Sequence, residues 1–493
     1  MSITRRSGAT ATFIFIGRLA NLLFNVAVIV LITRYLGKET FGRYAFVQSY
    51  TFVLSTLATG GTFSILIREA ARERERAGHH LGTALQIQFV FALVAFAAGV
   101  AILPLFNSDE LTTQAVYIAS LAVILQSFAN LYACIFTAFE RTKFWALTTT
   151  IEGGLYLGLV VWVVVSGGEF LTIFWMRVVS FGVKLVLNAV IVRYRFTRTV
   201  WRLDVAAARY FARESFPLIF SDTFRSLDRQ LDTFLLKLWS TVAQIGVFSA
   251  PYRLIDRMVI LPDSIMAGFL PALSQLSTSD RERLQALYGK VFKFFLLFAL
   301  PIAVIGTFLA RPLVVLFFTD EYLESVVVLR VLVWIVLCMF PNYLFKYVLT
   351  AIGRQRYETV SRFISVGTHL VLGWLLIPRW GALGAAVSAL ASQVILFVVG
   401  FTYVSLGLQP YWPYRLLLKL AGLTLLVGLL LQMLANAPLV LVLPLAAAAY
   451  LAGYLVLRIL RPDELRAFGE ILGLRKRGVA AEGAPATGSR GHR

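Results

Sequence analysis

Charge is what this sequence has least of. Only 15% of its 493 residues are Asp, Glu, Lys or Arg, against about 25% in soluble domains. That shortage excludes an ordinary water-soluble globule. Acids are the scarcer sign, 26 against 46 Lys and Arg, which leaves a net charge of +20. Cysteine is nearly missing. Cys134 and Cys338 both lie in apolar segments, which offers no disulfide framework and no zinc spacing. His79, His80, His369 and His492 are scattered, so no metal site is expected. Long polar stretches are also lacking, and no separate soluble catalytic domain fits between the apolar runs.

What is present is apolar sequence, 59% of the chain. It divides into runs of the roughly 20 residues that cross a bilayer. Spans are expected near 11–33, 44–66, 81–104, 115–138, 144–165 and 170–192, and near 216–237, 244–271, 291–310, 325–350, 358–377 and 382–406. Two more follow near 414–434 and 438–458. The fold class is therefore an all-α polytopic membrane protein with about 14 transmembrane helices. Arg5 and Arg6 precede the first run, which outlasts a signal peptide and lacks a clear cleavage site, so an uncleaved first helix is expected.

The positive charge has a topological explanation. With the N-terminus inside, the expected cytoplasmic segments hold 31 Lys and Arg and the outer connections six, as the positive-inside rule requires. Nucleic acid need not be invoked. The one poor fit is the first outer connection, with Arg34, Lys38 and Arg43. Both termini are expected in the cytoplasm. The run Arg68–Arg76 alternates sign and reads as a solvated helix end. Tyr194, Trp201 and Tyr210 among arginines read as an amphipathic surface helix.

The chain also repeats itself. Thr137-Ala138-Phe139-Glu140-Arg141 resembles Thr350-Ala351-Ile352-Gly353-Arg354, 213 residues on. Phe106-Asn107-Ser108-Asp109-Glu110 resembles Phe317-Phe318-Thr319-Asp320-Glu321, and Gly42-Arg43-Tyr44-Ala45 resembles Gly246-Val247-Phe248-Ser249. Three matched turns in one order suggest two copies of a six-helix unit. The expected division is an N-lobe at 1–192, a basic linker at 193–215, a C-lobe at 216–406, two extra helices within 407–460, and a cytoplasmic tail at 461–493 with a disordered end.

The run Thr33-Arg34-Tyr35-Leu36-Gly37-Lys38-Glu39-Thr40-Phe41-Gly42-Arg43-Tyr44 resembles the first hairpin of the polysaccharide transporter family. That family contains the Wzx-type O-antigen flippases. It belongs to the multidrug/oligosaccharidyl-lipid/polysaccharide exporter superfamily. Pro271-Ala272-Leu273-Ser274 and Ile377-Pro378-Arg379-Trp380-Gly381-Ala382 agree, and the resemblance covers roughly residues 10–405. It implies two six-helix lobes around a central cavity, alternating access, and a polyprenyl-diphosphate saccharide moved across the cytoplasmic membrane. It implies no enzyme activity and no cofactor, with a proton or sodium ion as the candidate coupling ion. A monomer among membrane lipids is expected, with a polysaccharide polymerase or glycosyltransferases as candidate partners.

Between Pro217 and Pro271 stand five acids and five bases. A charge at the centre of a spanning helix costs about 2.5–3.5 kcal/mol on insertion scales, so these are expected to face an interior or a cavity. Asp222, Arg225, Arg229 and Asp232 share one helix face, and Arg253 with Asp256 or Arg257 continues a stripe on the next helix. On the first helix Arg18, Asn21 and Asn25 share a face. Two readings stand side by side. In one, the charges pair as a latch. In the other, Arg18, Asn21, Asn25, Arg225, Arg229, Arg253 and Arg257 bind substrate, since Arg forks onto phosphate oxygens. Arg18 is the sharpest candidate because its helix offers no acid. Asp222, Asp228, Asp232, Asp256 and Glu152 are candidates for ion pairing or ion coupling. Arg177, Lys184, Lys237 and Asp263 fall near span ends, where snorkelling is expected. His369 reads as a satisfied interior histidine.

Two rival functions are weighed against the resemblance. One is a cation-coupled multidrug exporter of the same superfamily. The other is a membrane polymerase or glycosyltransferase, which the short outer connections disfavour.

Overall fold

The structure, a computed structural model, describes residues 3–408 apart from Leu203, then 414–434 and 437–459. Side chains before Ala20, and those of Ser221, Ala267 and Val440, lie outside that description. The expected tail at 461–493 lies outside it too. Two compact units form, residues 1–410 and residues 411–493.

The first helix, α1 (Ile3–Thr59), has 57 residues. A straight helix of that length would reach about 85 Å, far beyond a hydrocarbon core of about 30 Å. It does not run straight. Gly37 takes φ 68° and ψ 171°, a left-handed φ that glycine adopts without a Cβ clash. Asn21 and Ser55, Asn25 and Thr51, and Val28 and Gln48 line one cavity. Each pair is nearly equidistant from Gly37 in sequence, so the two arms of α1 run antiparallel.

There follow α2 (Thr62–Arg72), α3 (Ala77–Ile102), α4 (Glu110–Ala138), α5 (Lys143–Ser166) and α6 (Phe170–Arg195). The stretch read as a linker is helical in its later part. α7 (Val205–Trp239) starts at Asp204, whose carboxylate accepts from the Ala207 amide at 2.9 Å. Next come α8 (Val242–Arg257), α9 (Ile260–Ser279), α10 (Arg281–Phe308), α11 (Ala310–Phe317), α12 (Ser325–Leu332), α13 (Ile335–Ala351), α14 (Gln355–Trp380) and α15 (Ala382–Leu408). The second unit holds α16 (Tyr414–Met433) and α17 (Leu439–Val456).

The repeat is visible in the backbone. After α4, the Glu140 amide donates to Thr137 at 3.0 Å and the Arg141 amide to Phe136 at 2.7 Å. After α13, the Gly353 amide donates to Thr350 at 3.1 Å and the Arg354 amide to Leu349 at 2.8 Å. Both turns place their central residue at positive φ, 57° at Glu140 and 71° at Gly353. The same helix-ending turn is thus built twice, 213 residues apart, as the sequence match suggests.

Among the described residues ten helices are long and apolar enough to cross a membrane, or eleven if the bent α8–α9 pair is one span. That is fewer than the expected fourteen, for three physical reasons. The two arms of α1 meet at Gly37 without an intervening loop and count as one. α7 carries too many charges. The apolar part of α17, Leu441–Val456, is short.

Candidate functional site

The helices α1, α4, α5 and α6 enclose a cavity of about 390 Å³, which Arg257 of α8 reaches. Its polar lining follows helical spacing. Thr149, Glu152, Gly153 and Tyr156 lie on one face of α5, and Arg177, Phe181 and Lys184 on one face of α6. Asn21 donates its amide to the Thr149 carbonyl at 3.0 Å, and Asn25 donates to the Asn21 side-chain oxygen at 2.7 Å. Gln48 and Gln126 add further amides.

The cavity's charge is uneven. Glu152, 7% exposed, is its single carboxylate among the described residues and accepts from Arg177 at 2.9 Å. The Arg177 guanidinium lies over the rings of Tyr156 and Phe181, at 4.3 and 4.1 Å. Both stacking and pairing therefore fix it. Lys184 is buried on the same face one turn beyond Phe181, and no hydrogen bond or ion pair joins it to the described residues. Arg257 is the third cation. Among the described residues, three basic side chains thus share one carboxylate in a small polar space, which suits an anionic ligand.

At the Gly37 end the two copies of the repeat meet. Gly42 of α1 and Gly246 of α8 approach so closely that a Cβ on Gly42 would stand 1.9 Å from the Val242 carbonyl oxygen. One on Gly246 would stand 2.0 Å from that of Lys38. The contacts are reciprocal, as a pseudo-twofold relation demands. Around this seam Lys38 pairs with Glu324 at 2.9 Å, and Gln244 donates to the same carboxylate at 3.0 Å. The hydrogen bond and charge of Lys38 hold the Glu324 carboxyl below its ordinary value. Arg43 pairs with Asp109 at 3.1 Å and Glu39 at 3.2 Å. Arg34 donates to the carbonyls of Leu316 and Phe317. The three bases that fit the charge rule poorly are therefore those that tie this end shut.

The remaining charges lie between helices. Asp232 of α7 meets His369 of α14 at 2.8 Å, and Asp228 meets Arg362 at 3.6 Å. Asp222 and Arg225 pair along α7 at 3.6 Å, and Arg225 and Arg229 are exposed. Arg253 lies over the rings of Phe41 and Tyr44 and donates to the Ala45 carbonyl at 3.5 Å. Asp256 is half-buried beside Arg257.

The model of the family described as "Polysaccharide biosynthesis protein" matches residues 7–277, more than half of the chain. The chain belongs to that family. The MatE family model also matches residues 217–375. Among individual relatives, the capsular polysaccharide biosynthesis protein CapF of Staphylococcus aureus is 20% identical over 390 residues, 78% of this chain and 96% of that protein. A putative O-antigen transporter of Shigella flexneri is 22% identical over 382 residues, 72% of this chain and 88% of that one. The lipid II flippase MurJ, in an inward closed conformation, has a similar fold: TM-score 0.72 at 15% identity, covering 95% of this chain and all of that one. An inward-facing multidrug resistance MATE transporter gives 0.65 at 16% identity, covering 79% and 94%.

The structure brings together only part of the sequence-derived set. Asn21, Asn25, Glu152 and Arg257 line the cavity. Arg225, Arg229 and Arg253 are not among its lining residues. The side chain of Arg18 lies outside the described residues. Arg177 and Lys184, expected to snorkel at span ends, instead point into the cavity, because α6 packs against α4 and α5 and turns this face toward Glu152. Their spacing about Phe181 was the available signal. His369, read as a satisfied interior residue, has Asp232 as its partner.

Proposed function

We propose that this protein is a flippase for a lipid-linked, polyprenyl-diphosphate saccharide in the cytoplasmic membrane, not an enzyme. The observation that carries this reading is the cavity in which Arg177, Lys184 and Arg257 share one carboxylate, Glu152. A diphosphate brings the opposite charge, and the amides of Asn21, Asn25, Gln48 and Gln126 offer donors and acceptors to sugar hydroxyls. The relatives named for capsule and O-antigen work support the same substrate class.

In this reading α1–α6 and α7–α15 form two lobes, and 1–192 and 216–406 are their membrane parts. α1 crosses twice, and α7 and α17 cross as well. Two of the charges of α7, Asp228 and Asp232, are tolerated because they face Arg362 and His369 of α14. The seam at Gly42 and Gly246 closes the outer end, and both termini are cytoplasmic. The headgroup enters from the inner leaflet, the lobes rock, and the seam opens to release it outside. Partner polymerases or glycosyltransferases would make or extend the cargo, and the flippase works as a monomer.

Reconstitution tests this directly. The full chain in liposomes is given a fluorescent polyprenyl-diphosphate N-acetylglucosamine, and a membrane-impermeant quencher reports the outward-facing fraction. Protein-dependent transfer, lost in Lys184→Glu, is expected. Efflux of organic cations with no lipid transfer would favour the multidrug-exporter reading that the MatE match keeps in view.

A further inference from the structure

One buried titratable pair has no role in the cavity. His369 and Asp232 are 7% and 5% exposed, and their side chains meet at 2.8 Å between α14 and α7. An ionised carboxylate cannot donate, so the hydrogen lies on Nε2 of the ring. With a neutral ring the pair carries one negative charge in an apolar bundle, which is costly. One proton on Nδ1 makes the pair neutral overall, and the pair's hydrogen bond stays intact.

The groups facing the pair leave it short of positive charge. On α7 these are Asp228 and Arg229, and on α14 Glu358 and Arg362. On α8 they are Tyr252 and Asp256, with Tyr343 on α13. Arg362 is already shared by Asp228 at 3.6 Å and Glu358 at 2.9 Å. Among the described residues, His369 is the one base within pairing distance of Asp232.

The position of the pair gives a proton there a mechanical consequence. Two residues beyond Asp232, about 200° around the helix, Phe234 packs on Phe46, Tyr50 and Phe106. Two turns earlier, Ser226 hydrogen-bonds Thr56 of α1 at 2.9 Å. One side of α7 is therefore fastened to α14, and the other to the first copy of the repeat.

We infer that the His369–Asp232 pair is the binding site of a coupling proton, and that its proton decides whether α7 stays fastened to α14. By linkage, the proton favours the engaged, seam-closed arrangement. Loss of the proton to the cytoplasm leaves the pair charged and frees α7 to move with α1, which opens the seam. Reclosing takes a proton from outside. One proton thus moves inward for each headgroup moved outward. The inference rests on the alternating-closure reading above, but the proton site is tested without any saccharide.

The test uses the full chain in nanodiscs, with Cys134→Ala and Cys338→Ala as background. Spin labels replace the exposed Leu111 and Leu323 on either side of the seam. In the wild-type pair, the ratio of short to long separations should change by up to about tenfold per pH unit through one transition, as one proton requires. Short separations should dominate on the acid side of that transition. His369→Gln, which keeps an amide donor toward Asp232, should abolish it and leave only the acid-side fading of the Lys38–Glu324 contact. So should the doubly neutral Asp232→Asn/His369→Gln variant. A flat wild-type profile, or a wild-type profile retained by His369→Gln, would overturn the assignment. So would sodium reproducing the shift at fixed pH. If lipid transfer fails while the pH profile holds, the cargo is wrong and the proton site stands.

Discussion

Gly42 and Gly246 face each other across the seam, and the carbonyls of Val242 and Lys38 fill the space that a side chain on Gly42 or Gly246 would need. A Cβ on either would stand about 2 Å from a carbonyl oxygen of the opposite helix. Gly42→Ala and Gly246→Ala are therefore expected to hold the seam apart, at a cost of about 1–3 kcal/mol or more. Either change should shift the Leu111–Leu323 label separations to the long population at every pH and abolish lipid transfer. Short separations in both variants would show that the seam tolerates a methyl group.

The Lys38–Glu324 pair should fasten the same seam with a defined pH dependence. Lys38 holds the Glu324 carboxyl below its ordinary value. The contribution is therefore full above the ordinary carboxylate value and fades as pH falls through the lowered one. Both side chains are partly exposed, 32% and 54%, so it amounts to about 0.2–1 kcal/mol. Lys38→Gln and Glu324→Gln should each shift the separations by up to about fivefold at pH 7. The double variant should add little.

Arg177 and Glu152 predict an asymmetry. Arg177→Ala leaves a buried carboxylate unpaired, a loss expected to reach about 3–5 kcal/mol. Arg177→Ala/Glu152→Ala should recover part of it, and Arg177→Lys, which keeps the charge without the planar stack, should cost about 1 kcal/mol. Thermal unfolding of the purified variants ranks them. Equal stability of Arg177→Ala and wild type would contradict the pairing.

Lys184 separates function from stability. It is buried with no bonded partner among the described residues, so Lys184→Gln should leave the melting temperature unchanged or higher. Lipid transfer should nevertheless fall at least tenfold, the loss of one charge-assisted contact of about 1.5–3 kcal/mol. A stability loss with full transfer would make Lys184 structural.

Much of this was legible in the chain. The repeat could be read because its turns recur in composition, and the Glu140 and Gly353 turns share their hydrogen bonds. Asn21 and Asn25 were legible as a polar stripe on an apolar helix. Arg177 and Lys184 were misplaced because distance from a span end says nothing about which face packs inward. The arginines of α7 and α8 attracted attention by number. Arg225, however, pairs with Asp222 on its own helix, while Asp228 and Arg253 find their partners on α14 and α1, 134 and 208 residues away, and no local spacing reveals such contacts. The Gly37 turn explains why a chain with short connections has a 57-residue helical stretch. A single positive φ reverses the chain without a loop.

The most direct measurement is made in cells lacking this protein. Lipid-linked saccharides are extracted, identified by mass spectrometry, and scored for the leaflet that the sugar faces. The account predicts an accumulated polyprenyl-diphosphate saccharide facing the cytoplasm, cleared by the wild-type chain but not by Lys184→Glu. No accumulation, or clearance by Lys184→Glu as complete as by wild type, would contradict the claim that this cationic cavity carries a lipid-linked saccharide.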